Sequence, residues 1–402
     1  MTGAGAEPVV RLAARGDGVT EGGRFVAGAV PGDLVLADGS IAPGPDHAAP
    51  PCRHFGVCGG CQLQHASDRL LGDFARQRCL EPLAALGIAP GEVMPVHLSP
   101  PGARRRASLR AARRGGRLVL GFSPKGAHAL VDLAECPVLH ARLFALVEPL
   151  RCLLDALLPR RGAVASALSL VDQGVDLHLA DLAVERLAVS EALVDFARTH
   201  GLARLSVSGP LGVETVFASE PPTVTLGGLP VALPPAAFLQ ATADGEEALV
   251  RAVVDACAGA RAVADLFAGL GTFALPLSLA ARVLAVDGAG SAISALARAA
   301  ASAGRPVATE HRDLFRRPLL AHELRGFDAV VFDPPRAGAM AQAQALAQSR
   351  VPTVVAVSCN PATFARDARI LVAGGYRLEA LWPVAQFRWS TQVELVAAFR
   401  RG

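Results

Sequence analysis

From residue 245 to the C-terminus the chain alternates short runs of aliphatic and β-branched residues with longer stretches of helical spacing, and this rhythm leaves few folds open. The spacing predicts a helix near 245–258, then strand 261–267, helix 273–281, strand 282–287, helix 290–302 and a strand near 307–312. Strand 327–332, helix 338–349, strand 353–358 and helix 361–373 follow, with strands near 377–387 and 393–400 at the end. Strands joined through helices pair in parallel, with helices on both faces. No helix separates the last two strands, so the sheet is expected to finish in a hairpin.

The preceding residues read differently. Residues 1–48 look like a short β-rich piece, with Val9–Leu12, Gly22–Val26 and Asp33–Leu36 as strands between glycines and Pro31. Ile41 to Pro51 has the proline, alanine and glycine content of a linker. Residues 49–240 form a central region with helices near 68–86 and 140–158, and 241–402 form the alternating domain. No repeat of fixed period occurs. With 402 residues and 51% hydrophobic content the chain can bury a large core. The net charge of +3 is too mild to imply a polyanionic partner by itself. Basic charge is nonetheless concentrated: Arg104, Arg105, Arg106, Arg110, Arg113, Arg114 and Arg117 crowd one segment, and Lys125 is the sole lysine. Guanidinium suits bidentate phosphate contact. Met1 to Pro8 lack the basic and apolar parts of a secretion signal. The longest apolar run, Leu266 to Ala281, is broken by two glycines and a proline and too short to span a membrane. The expected compartment is the cytoplasm, and the expected state a monomer.

Chemistry gathers where the predicted strands end, the place at which open α/β sheets hold ligands. Ala264-Asp265-Leu266-Phe267-Ala268-Gly269-Leu270-Gly271 runs from a strand into a glycine turn that lets a ligand approach the backbone. Asp287 closes the next strand and can accept hydrogen bonds from ribose hydroxyls; Asp313 and Asp333 close the third and fourth. A single aspartate so placed is often only a turn or cap residue. Four strand ends carrying acids point to a nucleotide. No basic group in the glycine turn stands ready for a pyrophosphate, which favours S-adenosylmethionine over a dinucleotide.

Cys359, in Ser358-Cys359-Asn360-Pro361, ends the fifth strand beside Asp333. A cysteine is usually a small hydrophobe, but a thiol at this edge is placed for attack. Glu394 begins the last strand; if that strand runs antiparallel beside the fifth, Glu394 reaches the same edge. A thiolate and a base together suit C5 methylation of uracil. The thiolate adds at C6, C5 attacks the sulfonium methyl, and the base removes the C5 proton. The nucleotide must leave its stack to be reached.

Cys52, Cys58 and Cys61 sit close together around Gly59-Gly60, with Cys136 further on before a proline. Four thiolates fit a [4Fe–4S] cluster or zinc, and His65 could complete a Cys3His zinc site. Cys79, Cys152 and Cys257 lack such partners and read as core residues.

Taken together these motifs resemble the bacterial RNA uracil-C5 methyltransferases over roughly residues 50–400. Ser358-Cys359-Asn360-Pro361 with Arg366-Asp367 looks like the family's nucleophile motif. Asp333-Pro334-Pro335-Arg336-Ala337-Gly338 is similar to its second motif, Pro235 to Gln240 to the segment bringing a glutamine to the cofactor, and Gln392-Val393-Glu394 to the motif carrying the base. The resemblance implies a Rossmann-like S-adenosylmethionine-dependent methyltransferase domain, a central α+β iron–sulfur domain and a short form of the family's RNA-binding β-barrel. It further implies Cys359 as nucleophile, Glu394 as base, and Gln240, Phe267, Thr272, Asp287, Asp313 and Asp333 around S-adenosylmethionine. Thr272 and Asp313 stand where asparagine is common, and Asp287 where glutamate is usual. Cys52, Cys58, Cys61 and Cys136 resemble the iron–sulfur branch, whose substrate is 23S ribosomal RNA; the transfer-RNA branch lacks the cluster. Alternatives are a transfer-RNA uridine enzyme, an RNA cytosine-C5 enzyme, whose nucleophile commonly follows a proline, and a base-amino methyltransferase, which needs no thiol. A non-catalytic, metal-stapled RNA-binding module is the alternative of another class; Cys359, Asp333 and Glu394 together argue against it.

Overall fold

The computed structural model describes residues 6–123, 130–182, 184, 187–209 and 212–402, so Lys125 lies outside the described residues. The alternating region forms strands β1 (Ala262–Leu266), β2 (Arg282–Asp287), β3 (Val307–His311), β4 (Ala329–Phe332), β5 (Thr353–Ser358), β6 (Tyr376–Ala385) and β7 (Glu394–Arg401). They lie in the order β3-β2-β1-β4-β5-β7-β6. The first five run parallel, and β7 slots antiparallel between β5 and β6, as the terminal hairpin requires. Every residue of β1, β4 and β5 is buried, as expected when both faces of a parallel sheet are covered. Neighbours along a strand serve opposite cores: Val263, Val331 and Val355 join one apolar cluster, Ala264, Val330 and Val354 the other.

Helices α1 (Ala243–Ala256), α2 (Ala274–Leu277), α3 (Gly290–Ser302), α4 (Met340–Gln348) and α5 (Pro361–Ala373) cover the sheet. The helix expected over 273–281 is a single turn. Pro276 removes an amide donor inside it, and the Ser278 hydroxyl donates back to the Leu275 carbonyl at 2.6 Å, turning the chain toward β2.

The core does not stop at residue 240. The hairpin Thr223–Leu226/Leu229–Ala232 places Val224, Leu226 and Val231 in the cluster that holds Leu249 and Leu296. The helix Asp68–Ala84 adds Ala75, Cys79 and Leu83 to the other cluster, and Glu92–Val93 and His97–Leu98 extend the sheet in parallel beside β6. Between these lies a seven-stranded sheet from Arg106 to Ala218. The helices Val147–Leu157 and Leu187–Thr199 pack on it through Leu150, Leu154 and Leu193.

Residues 7–42 form a five-stranded sheet in the order Phe25–Val26, Gly18–Thr20, Glu7–Leu12, Leu34–Val35, Ile41–Ala42. The start of the expected linker is therefore a strand. Buried Asp33 explains it: its carboxylate accepts from the Val30 and Gly44 amides at 2.8 and 2.7 Å and meets His47 Nδ1 at 2.8 Å, drawing residues 41–47 onto the sheet. Cys79 and Cys257 are buried as expected, but Cys152 is exposed, because it occupies the outward side of a helix whose inner stripe is Val147, Leu150 and Leu154. Among the described residues no helix is long and apolar enough to cross a membrane.

Candidate active site

The parallel strands deliver their carboxyl ends to one edge, and β7, running the other way, delivers its amino end there. The register pairs Ser358 with Leu395, so one step on Cys359 faces Glu394. Asp333 follows β4, the neighbour of β5. Cys359, Asp333 and Glu394 thus meet across three adjacent strands.

Their loops are latched together. Asn360 caps α5 by accepting from the Ala362 amide at 3.2 Å, while its Nδ2 donates to the Arg336 carbonyl at 3.0 Å. The Thr363 hydroxyl reaches the same carbonyl at 3.1 Å. The Asp367 carboxylate accepts from the Ala339 amide at 2.8 Å, and Arg366 donates to the Ala337 carbonyl at 3.0 Å. Gly338, at φ +73°, lets the 333–338 loop fold against α5, where a Cβ would stand 2.6 Å from Arg366 and Asp367.

Burial sets the protonation states. The Cys359 thiol is pushed up to about 11 by burial and then by the Glu394 and Asp333 carboxyls, with Arg336 opposing. Glu394 is pushed up to about 8 by burial and Asp333, against Gln386, Arg336 and Arg106. Asp333 is pushed up to about 7 by burial. Three acids crowded into one desolvated edge hold their protons near neutral pH.

Around the glycine turn, Phe267 sits at φ +63° with its ring 5.4 Å from that of exposed Phe315. Asp287 bridges two loops, accepting from the Gly269 amide at 2.9 Å and the Ala289 amide at 2.6 Å. Thr272 is half-buried just before α2. Asp313 is exposed and accepts from the Phe315 amide at 3.0 Å. Gln240 is buried, its Oε1 accepting from Gln386 Nε2 at 2.8 Å. Asp265, fully buried, has neither carboxyl oxygen hydrogen-bonded; burial, then Asp333 and Asp287, hold its pKa well above the usual range.

Cys52, Cys58, Cys61 and Cys136 line one cavity of about 320 Å³ that also reaches Arg104, Arg336 and Gln392. Among the described residues no group of three or more His, Cys, Asp or Glu side chains forms a metal-ion site. His65 does not line this cavity; it is buried with its ring 5.3 Å from Phe55 and 5.8 Å from His47. Its neighbour Gln64 does line it, with a buried, unpartnered Oε1. The cavity's lining therefore holds the four cysteines without His65.

The arginine segment divides by partner. Arg105 braces the fold, donating to the Glu246 carboxylate at 2.6 Å and the Gln240 carbonyl at 3.1 Å. Arg104 lies over Phe387 at 5.4 Å, and Arg106 over exposed Phe238 at 4.4 Å. Arg113 and Arg117 pair with Asp155 and Asp132. Sequence reasoning assigned no role to Arg336, Gln386 or Phe315, and counted Asp265 only among the acids at the strand ends. Arg336 stands in a motif at a strand end and could have been found there. Gln386 and Phe315 carry no local signal.

No protein-family model matches the chain. It is 47% identical to an uncharacterized RNA methyltransferase of Zymomonas mobilis, across 98% of this chain and 99% of that one. It is 40% identical to another from Rhizobium meliloti, across 99% of each. It is also 35% identical to the 23S rRNA (uracil(1939)-C(5))-methyltransferase RlmD of Edwardsiella ictaluri, across 93% of this chain and 90% of the relative. Among solved structures, Pyrococcus abyssi tRNA (uracil-54, C5)-methyltransferase bound to S-adenosyl-L-homocysteine superposes with a TM-score of 0.76 at 23% identity, covering 98% of this chain and 99% of that one. That likeness is one of fold.

Proposed function

This chain belongs to the RNA methyltransferase family, and on that premise we propose that it transfers the methyl group of S-adenosylmethionine to C5 of a uridine in 23S ribosomal RNA. The observation that carries the reading is the β5–β7 register, which sets the Glu394 carboxyl against the Cys359 thiol with Asp333 one strand away. The 35% identity to RlmD supports the ribosomal substrate.

In this reading Glu394 and Asp333, which titrate near 8 and 7, first shed their protons to solvent. Cys359 then adds to C6 of the flipped uracil and its proton passes to the Asp333 carboxylate, leaving Glu394 ionised. The S–C6 bond leaves an enolate with its electrons at C5. S-adenosylmethionine, when bound, would supply the electrophilic methyl group that C5 takes up. Glu394 then accepts the C5 proton, the C5–C6 double bond reforms and the Cys359 thiolate leaves. Burial keeps the thiol neutral before substrate enters, which protects it from side reactions. Gln240, Phe267, Thr272, Asp287, Asp313 and Asp333 hold the cofactor at the strand ends.

Cys52, Cys58, Cys61 and Cys136 would hold the [4Fe–4S] cluster: all four face one cavity, and the Arg104 guanidinium beside it offsets the charge of thiolates. Such a cluster would staple residues 52–61 to residue 136. The arginine face meets the RNA, and we place the enzyme in the cytoplasm with its substrate.

The test is to map 5-methyluridine in ribosomal and transfer RNA from cells with and without the gene. Loss of one 5-methyluridine from 23S RNA is expected. Loss from transfer RNA instead would reassign the substrate, and no change in either would remove the activity.

A further inference from the structure

The amide of Gln386 fixes which face Gln240 shows to the site. Gln386 is 1% exposed and follows the last residue of β6. Gly245 packs so closely that a Cβ there would stand 2.6 Å from the Gln386 Cβ, so the root of this side chain is tightly enclosed. The Ala241 amide, which can only donate, meets Gln386 Oε1 at 3.0 Å. That contact forces Gln386 Nε2 to the other side, where it donates to Gln240 Oε1 at 2.8 Å. The acceptor of Gln240 is thereby used. Its Nε2, with two N–H groups, makes no hydrogen bond to any described residue and is not among the buried orphans, so it remains reachable. Its backbone cannot turn to compensate, because Arg105 Nε donates to the Gln240 carbonyl at 3.1 Å and the Arg105 amide to the Ala241 carbonyl at 2.9 Å.

We propose that Gln386 is a positioning residue that locks Gln240 with its N–H groups outward, so that the site accepts an acceptor oxygen there and rejects a donor. That oxygen belongs either to the cofactor's carboxylate or to a carbonyl of the target base. In the second case the lock discriminates uracil from cytosine, whose exocyclic amino group would present a donor against a donor. The inference rests on the proposed S-adenosylmethionine and uracil site.

Gln386→Glu and Gln386→Leu in the full chain separate a lock from a merely structural role. An ionised carboxylate can only accept; it takes the Ala241 amide and turns Gln240 carbonyl-outward. Leucine lets Gln240 turn either way. At pH 9 the Glu variant should therefore bind worse than the Leu variant, by about tenfold or more against wild type, the scale of one buried hydrogen bond removed and its partner left unmade. At pH 6 the protonated carboxyl donates to Gln240 again, and binding should return toward wild type. Glu394, which Gln386 itself contacts, and the His97–Asp244 and Arg105–Glu246 pairs lie about this site; the wild-type profile gives their background, and Glu394→Gln introduced into each variant removes the Glu394 part. Calorimetry with S-adenosylhomocysteine and the RNA KM at saturating cofactor assign the oxygen: a loss in the first places it on the cofactor, a loss in the second alone on the base. A Glu variant no worse than the Leu variant at every pH would overturn the lock. So would wild-type binding of both ligands by Gln240→Leu, which needs no buried charge to fold. Wild-type protein unable to bind S-adenosylhomocysteine would instead remove the underlying site.

Discussion

Cys359, Glu394 and Asp333 each keep a proton to higher pH than the same groups in water, because one strand edge desolvates all three together. Cys359→Ala should abolish methyl transfer and leave S-adenosylhomocysteine affinity near wild type, since the proposed mechanism uses the thiol in chemistry and not in cofactor contact. RNA carrying 5-fluorouridine should trap a covalent complex with wild type only, because fluorine cannot leave as a proton; turnover by the alanine variant would dismiss the thiol. Glu394→Gln should instead accumulate protein joined to methylated RNA, with release blocked. The same substitution makes a stability prediction. With its folded pKa raised to about 8, Glu394 favours folding fully only below its unfolded value, and that contribution is lost as pH rises through 8. Melting temperatures of wild type and Glu394→Gln should draw apart between pH 5 and 9, wild type falling faster. Parallel curves would mean that Glu394 titrates normally.

Single elements decide how much force each arginine has. Arg105 and Glu246 form a nearly buried pair, 13% and 11% exposed at the side chain. Removing one partner strands the other charge, so Arg105→Ala should cost about 3–5 kcal/mol in denaturant unfolding. On the strand Arg106–Arg114, Arg106, Ser108 and Arg110 share one face, since β side chains alternate. Arg106→Ala with Arg110→Ala should weaken RNA binding at every sequence, because phosphate contacts position and base contacts specify. The log–log salt slope should flatten by roughly 0.7–0.9 for each phosphate that is no longer neutralised. An unchanged slope in folded protein would make them a solvated face. Which of the three adjacent arginines at 104–106 braces the fold depends on Glu246, 141 residues away from Arg105.

Across the whole molecule the cysteine loop and the loop that leads into β7 are stitched into one unit. The Gln62 and Leu63 amides both donate to the Trp389 carbonyl, at 2.8 and 2.9 Å, and Gln62 Oε1 accepts from the Thr391 amide at 3.3 Å. Gln62 adjoins Cys61, and Thr391 lies three residues before Glu394. Anaerobically purified protein should be brown and hold about four irons per chain; a zinc-only result would refute the cluster. Removing the metal with a chelator should raise hydrogen exchange at 387–392 before it affects α3, which lies far from this stitch in the sheet. Exchange rising evenly over the chain would mean that the cysteines support the fold as a whole.

Periodicity by itself determined the parallel sheet, its terminal hairpin and the acids at its strand ends, because side-chain spacing repeats within each element and needs no partner to be read. Cys359 and Glu394 were legible for the same reason, each marking an end of a strand. The tertiary structure alone decided that β7 enters between β5 and β6 in the register that sets Glu394 against Cys359. It also carried residues 68–98 and 223–232 into the core of the alternating domain, drew Ile41–Ala42 into the first sheet, and left His65 outside the lining of the cysteine cavity. Gln386 is the clearest case. Nothing within a few residues of it distinguishes it, and its place comes from the Ala241 amide, 145 positions away. Hydrogen bonds across such separations depend on packing that closes long stretches of chain, and no local pattern records them.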